Sequence, residues 1–120
     1  MKRSPCDKYI NEETWIQAQI CEYIRLQHPQ IRIVHPANEG RRGWTEQRKI
    51  KLLGLKKGAS DLFLFDEIGR VLFLEVKKPK GKLTPEQKAF LDDMVSIGHS
   101  ATWCDCFDLG KNIVDMWQKK

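Results

Sequence analysis

Two apolar, β-favouring runs at residues 61–65 and 71–76 are separated by Asp66-Glu67-Ile68-Gly69-Arg70 and carry charged residues at their far ends, with Lys77 directly after the second. Short runs rich in Leu, Phe and Val around such a turn predict a β-hairpin. Side chains alternate along a strand, so Glu75 and Lys77 face one side of it and Val76 the other. If the two runs pair as antiparallel neighbours, Asp61 at the start of one lies near Glu75 at the end of the other.

Charges placed in this way need a reason. Two carboxylates held close raise one another's proton affinity and gain little unless a cation sits between them. Mg2+, a hard ion, takes oxygen ligands and usually one or two protein carboxylates, leaving positions for water and phosphate oxygens. Lys77 adds a positive charge beside the pair, where it can orient a water or stabilise charge developing on a phosphate. Acids plus lysine therefore suit metal-assisted phosphodiester hydrolysis. The plainer alternative is that Asp61 caps a turn and Glu75 with Lys77 forms an exposed ion pair, which contributes only about 0–1 kcal/mol.

Around the hairpin, Asn11 ahead of Glu12 and Glu13 marks a helix start, and the spacing of Trp15, Ile16, Ile20 and Ile24 predicts a helix over 12–27, ended by His28-Pro29. Ile31, Ile33 and His35 predict a short strand closed by Pro36. Residues 44–53 can form a basic helix. After the hairpin, Thr84-Pro85-Glu86-Gln87 has the cap, first-turn proline and acid of a helix start, and that helix is expected to run to about Ile97 and stop at Gly98. Residues 101–107 predict a strand, with Cys104 and Cys106 on one of its faces. A last helix is expected over 109–117, with Ile113, Val114 and Trp117 inward. Trp15 and Trp103 are also assigned to the core, whereas Trp44 is a candidate for stacking on an exposed base. Helices alternating with a short mixed set of strands imply an α/β fold, a sheet flanked by helices.

The chain has 120 residues, which suits one compact domain over 1–120. Its apolar runs fall far short of the roughly 20 residues that cross a bilayer as a helix. The basic opening Met1-Lys2-Arg3-Ser4-Pro5 is not followed by a secretory apolar core, so an intracellular, cytoplasmic protein is expected, in the host cytoplasm if the chain is viral. Four cysteines are then expected as reduced thiols. The Cys104-Asp105-Cys106 spacing is too tight for a structural zinc pair. Lysine and arginine number 21 against 16 acids, a net charge of +5 that suits a polyanion. The candidates for contact with a nucleic-acid backbone are Arg41, Arg42, Lys49 and Lys57 before the hairpin, and Lys78, Lys80 and Lys82 after it.

Asp61 followed by Glu75-Val76-Lys77 resembles the split acid and acid-x-lysine signature of the PD-(D/E)XK nuclease superfamily. More narrowly, the order of Glu13 and Gln17 on a first helix, Asn38 in a loop, Gly58-Ala59-Ser60-Asp61, Glu75-Val76-Lys77 and Gln87 resembles the VRR-NUC family over roughly residues 12–117. The lysine-rich segment from Lys80 to Gln87 is among its closest matches. Ser60 departs from the superfamily's proline but still permits the turn before Asp61.

The resemblance implies a restriction-endonuclease-like core in which Glu13, Asp61, Glu75 and the Val76 carbonyl hold Mg2+ or Mn2+. Lys77 would assist hydrolysis, and Gln87 would sit nearby, holding Lys77 or a water. Glu12 stands as the backup to Glu13, and His35 is a strand-edge residue or a group that contacts DNA. The stand-alone members that the chain resembles act as homodimers on four-way DNA junctions. The expected partner is therefore branched DNA, with no membrane and no nucleotide cofactor. Alternatives are a nuclease for single-stranded or linear DNA, and a non-catalytic basic DNA-binding module.

Overall fold

The fold is that of a computed structural model, which describes residues 2–36 and 58–120. The expected helix over 44–53 lies outside the described residues, as do Asn38, Arg41, Arg42, Trp44, Lys49 and Lys57.

A short 3-10 helix, Pro5–Tyr9, opens the chain, closed on itself by Asp7 Oδ2 accepting from the Ser4 N–H at 2.7 Å. Helix α1 runs Glu12–Gln27, and the Asn11 side chain accepts from the Thr14 N–H at 2.8 Å as the sequence predicts. Strand β1, Arg32–Val34, follows. Strands β2, Leu62–Phe65, and β3, Val71–Val76, form the expected hairpin, pairing antiparallel with Leu62 opposite Leu74 and Phe65 opposite Val71. Helix α2, Pro85–Ser96, leads to strand β4, Ser100–Cys104, and helix α3, Phe107–Lys119, comes last.

The sheet order is β1-β2-β3-β4, with β4 parallel to β3 and the other pairs antiparallel. Alternation sorts its side chains onto two faces. Leu62, Leu64, Leu72, Leu74 and Val76 pack with Ile16, Ile20 and Ile24 of α1 and Val114 and Trp117 of α3. Phe63 and Phe73 pack with Phe90 and Leu91 of α2 on the opposite face, Phe73 edge-on to Phe63 at 4.9 Å between ring centroids. Strand β3 is therefore covered on both sides, and five of its six residues are buried. That double cover is what takes Glu75 out of water.

Four expectations change. The strand at 101–107 begins at Ser100 and ends at Cys104, because pairing with β3 stops where the Lys77 N–H donates to the Cys104 carbonyl at 2.8 Å. Cys104 is thus buried, while Cys106 is exposed and caps α3, so the two do not share a strand face. Helix α3 is longer at both ends than 109–117, starting at Phe107, whose ring meets Tyr23 of α1 edge-on at 5.9 Å. Of the tryptophans assigned to the core, only Trp117 is fully buried; Trp15 is half-buried under the Arg3 guanidinium, and Trp103 is half-buried beside the Phe73 cluster. No described helix is long and apolar enough to cross a membrane.

Candidate active site

At the open end of the hairpin, Asp61 and Glu75 are tied across the two strands. The Asp61 N–H donates to Glu75 Oε2 at 3.2 Å, and the Val76 N–H donates to Asp61 Oδ2 at 2.8 Å. Asp61 lies one residue before β2, and Glu75 shares the α2 side of the sheet with Phe73, as strand alternation requires. Glu75 is only 3% exposed. Burial pushes its carboxyl up to about 8, helped by the charge of Asp61, while Lys77 pulls in the opposite direction.

Helix α2 closes the other side. Gln87 Nε2 donates to Glu75 Oε1 at 2.9 Å, while Gln87 Oε1 accepts from the Thr84 N–H at 2.9 Å. The Gln87 N–H in turn donates to Thr84 Oγ1 at 3.2 Å, completing a capping box. Gln87 therefore holds Glu75, where the sequence led us to expect Lys77 or a water.

The loop before Asp61 is shaped by close approach to α2. Gly58 has φ +83°, and a Cβ there would stand 2.6 Å from the Glu86 carbonyl carbon, so a side chain fits neither the backbone nor the space. Ser60 is buried with its hydroxyl donating to the Leu62 carbonyl at 3.2 Å, which satisfies a buried polar group in the turn before Asp61. From the far side, His35 Nδ1 lies 2.6 Å from the Asp61 carbonyl oxygen. A carbonyl can only accept, so that nitrogen carries the proton. Gln17 Nε2 of α1 stands 3.4 Å from the same ring atom.

These groups enclose a cavity of about 190 Å³ lined by Glu13, Pro36, Gly58, Ala59, Ser60, Asp61, Glu75 and Gln87. Glu13 reaches this cavity from α1, whereas Glu12 is exposed and does not line it. Asp61 and Glu75 are the acids in mutual contact; among the described residues no three His, Cys, Asp or Glu side chains gather closely enough to hold an ion by themselves. The donor set nevertheless fits a hard divalent cation. Two carboxylates converge, one of them buried and resisting ionisation without a positive partner, which is the count that Mg2+ takes from protein.

The described lysines of the basic set, Lys78, Lys80 and Lys82, are all exposed on the loop between β3 and α2, immediately after Lys77. Sequence reasoning left the Gly58 contact and the His35 link unread. The signal for the first was a glycine just ahead of the Ala59-Ser60-Asp61 turn; the second needs the β1–β2 register, which places Val34 opposite Phe63.

Fold and site together define an α/β domain whose chemistry stands at the end of a hairpin, with paired acids, a lysine one strand position beyond them, and a helix cap behind. The VRR-NUC domain model matches residues 3–108, and the chain belongs to that family. Membership carries a nuclease-type function. Solved structures agree on the fold. A VRR_NUC domain protein is 23% identical, with 91% of this chain and 87% of that one covered at a TM-score of 0.66. A second structure, a VRR_NUC domain, is 19% identical, with 88% and 96% covered at a TM-score of 0.63. No curated protein matches.

Proposed function

We propose that the chain is a single nuclease domain that hydrolyses DNA phosphodiester bonds with Mg2+ or Mn2+, acting as a homodimer on branched DNA such as four-way junctions. The observation that carries this is the reciprocal tie between Asp61 and Glu75, with Glu75 buried and its proton affinity raised. A buried acid beside a second carboxylate is costly to keep ionised without a cation.

Asp61, Glu75, the Val76 carbonyl and Glu13 hold the ion. When bound, the ion supplies Lewis acidity at the scissile phosphate. Asp61 is fixed on three sides, by Glu75 at its N–H, by His35 at its carbonyl and by the Val76 N–H at its carboxylate. Gln87 holds Glu75 Oε1 from the α2 side. Lys77 positions the attacking water, and its charge offsets part of the burial and Asp61 repulsion that hold the proton on Glu75. Branched DNA and the homodimer are carried by the family resemblance, in which two sites related by a two-fold axis suit two symmetric cuts.

The test is cleavage of a labelled four-way junction beside a matched linear duplex, with Mg2+ or Mn2+, by wild type and Glu75→Ala. Paired cuts in the junction alone, lost in the variant, are expected. Equal cutting of both DNAs would keep the nuclease and remove the junction selectivity, and equal cutting by the variant would remove the site assignment.

A further inference from the structure

Immediately after Lys77 the chain turns sharply, with the Gly81 N–H donating to the Lys78 carbonyl at 2.9 Å. Pro79 occupies the second position of this turn, and Lys80, with φ +64°, the third. Proline second and a positive φ third are the marks of a type II turn, whose third position favours glycine or asparagine. Lys80 is the only non-glycine residue with positive φ among the described residues. Its backbone is held there, with the N–H donating to Asp105 Oδ2 at 3.4 Å.

The turn is also seated against the active site. A Cβ on Gly81 would stand 2.9 Å from the Lys78 carbonyl oxygen and 3.2 Å from Lys77 Cβ, so the turn packs directly against the lysine. Lys78, Lys80 and Lys82 are exposed, and no described group pairs with their ammonium ends. The contrast within the molecule is clear, since Lys88 and Lys111 are each paired with an aspartate one helical turn away.

A strained backbone residue beside a functional site points to a role beyond folding. Glycine would fit the third turn position better, so lysine there costs stability and contributes a charge at a fixed place. We propose that the Lys78-Pro79-Lys80-Gly81 turn is a preformed phosphate clamp, in which Lys80 contacts a backbone phosphate next to the scissile one. The clamp rests on the reading above that the partner is DNA. It adds the element that sets the register of that DNA on Lys77.

The test uses Lys80→Gly, Lys80→Arg and wild type, without divalent metal so that nothing is cut. Binding to a labelled duplex is followed by fluorescence anisotropy over about 50–200 mM salt, and the melting temperature is measured in parallel. Lys80→Gly is expected to melt higher because its backbone strain is relieved, yet to bind several-fold more weakly. Its slope of log affinity against log salt should be shallower by about one. Lys80→Arg keeps the charge and should restore the slope. A Lys80→Gly protein that binds with wild-type affinity and slope would overturn the clamp while leaving the nuclease reading intact. A wild type without salt-dependent DNA binding would overturn both.

Discussion

Gln87 Nε2 donates to Glu75 Oε1 at 2.9 Å while the other end of the same amide caps its own helix through the Thr84 N–H. One side chain thus joins the start of α2 to the buried acid of β3. Gln87→Met removes both bonds and is expected to cost about 1 kcal/mol of stability from the cap and at least ~10-fold in cleavage. Gln87→Glu keeps an oxygen for the cap but brings a third carboxylate to Glu75. Urea denaturation should therefore find it close to wild type at low pH and weaker at high pH, with cleavage still lost. Full activity in both variants would show that the amide only caps the helix.

Gly58 makes a second prediction about the same wall of the cavity. Gly58→Ala meets both a positive φ and the Glu86 backbone at 2.6 Å. Positive φ alone makes alanine unfavourable by about 1 kcal/mol, and the contact adds to it because backbone atoms cannot swing aside. Denaturant midpoints should fall by more than 1 kcal/mol in free energy, about what one such strain costs. Cleavage should fall further than stability, since the displaced loop carries Asp61. A variant as stable as wild type would mean that the loop and α2 separate freely.

The hairpin and its acids were legible because they rest on local rules. Charges at the ends of apolar runs, a turn between them and a two-residue side-chain period place Asp61, Glu75 and Lys77 together with no tertiary information. The caps at Asn11 and Thr84 were legible for the same reason. The target of Gln87 was not, because it depends on how α2 packs against the sheet. His35 meets Asp61 only through β1–β2 pairing, and β4 ends at Cys104 because its partner strand ends. Neither fact is written in a local spacing. Four of the basic candidates, Arg41, Arg42, Lys49 and Lys57, fall outside the described residues, so the described part of the charged surface is the turn after Lys77.

Away from the site, Asp115 clamps α3 to α1. Its Oδ1 accepts from Tyr23 Oη at 2.6 Å and lies 2.8 Å from His28 Nε2, and its Oδ2 takes the Lys111 ammonium at 3.0 Å. The Tyr23 hydroxyl, then His28 and Lys111, hold its carboxyl well below the ordinary carboxylate range. A depressed folded value means that stability is present above about pH 4 and is lost as pH falls below it. Asp115→Ala leaves the Tyr23 hydroxyl without this acceptor and is expected to cost about 1–3 kcal/mol at neutral pH, less in acid. Cleavage per folded molecule should not change. An equal loss at pH 7 and pH 3 would show that packing, and not the charge, carries the clamp.

Glu75 has the opposite sign. Its carboxyl is raised from an ordinary 4.5 to about 8 by burial and by Asp61, so the folded chain holds this proton more tightly than the unfolded one. Unfolding between those pH values releases a proton, and rising pH therefore favours the unfolded chain. In metal-free buffer the melting temperature should decline as pH rises from about 5 to 8, and Glu75→Gln, which cannot ionise, should remove that decline. A divalent ion competes with the same proton. Mg2+ or Mn2+ should consequently raise the melting temperature of wild type more at pH 8 than at pH 6, and should not raise that of Glu75→Gln. Calorimetry at the two pH values supplies the check, since wild type should release more protons on binding the ion at the lower pH. Thermal shifts that ignore both pH and the Glu75→Gln change would place the ion elsewhere and leave the acid pair with a structural role.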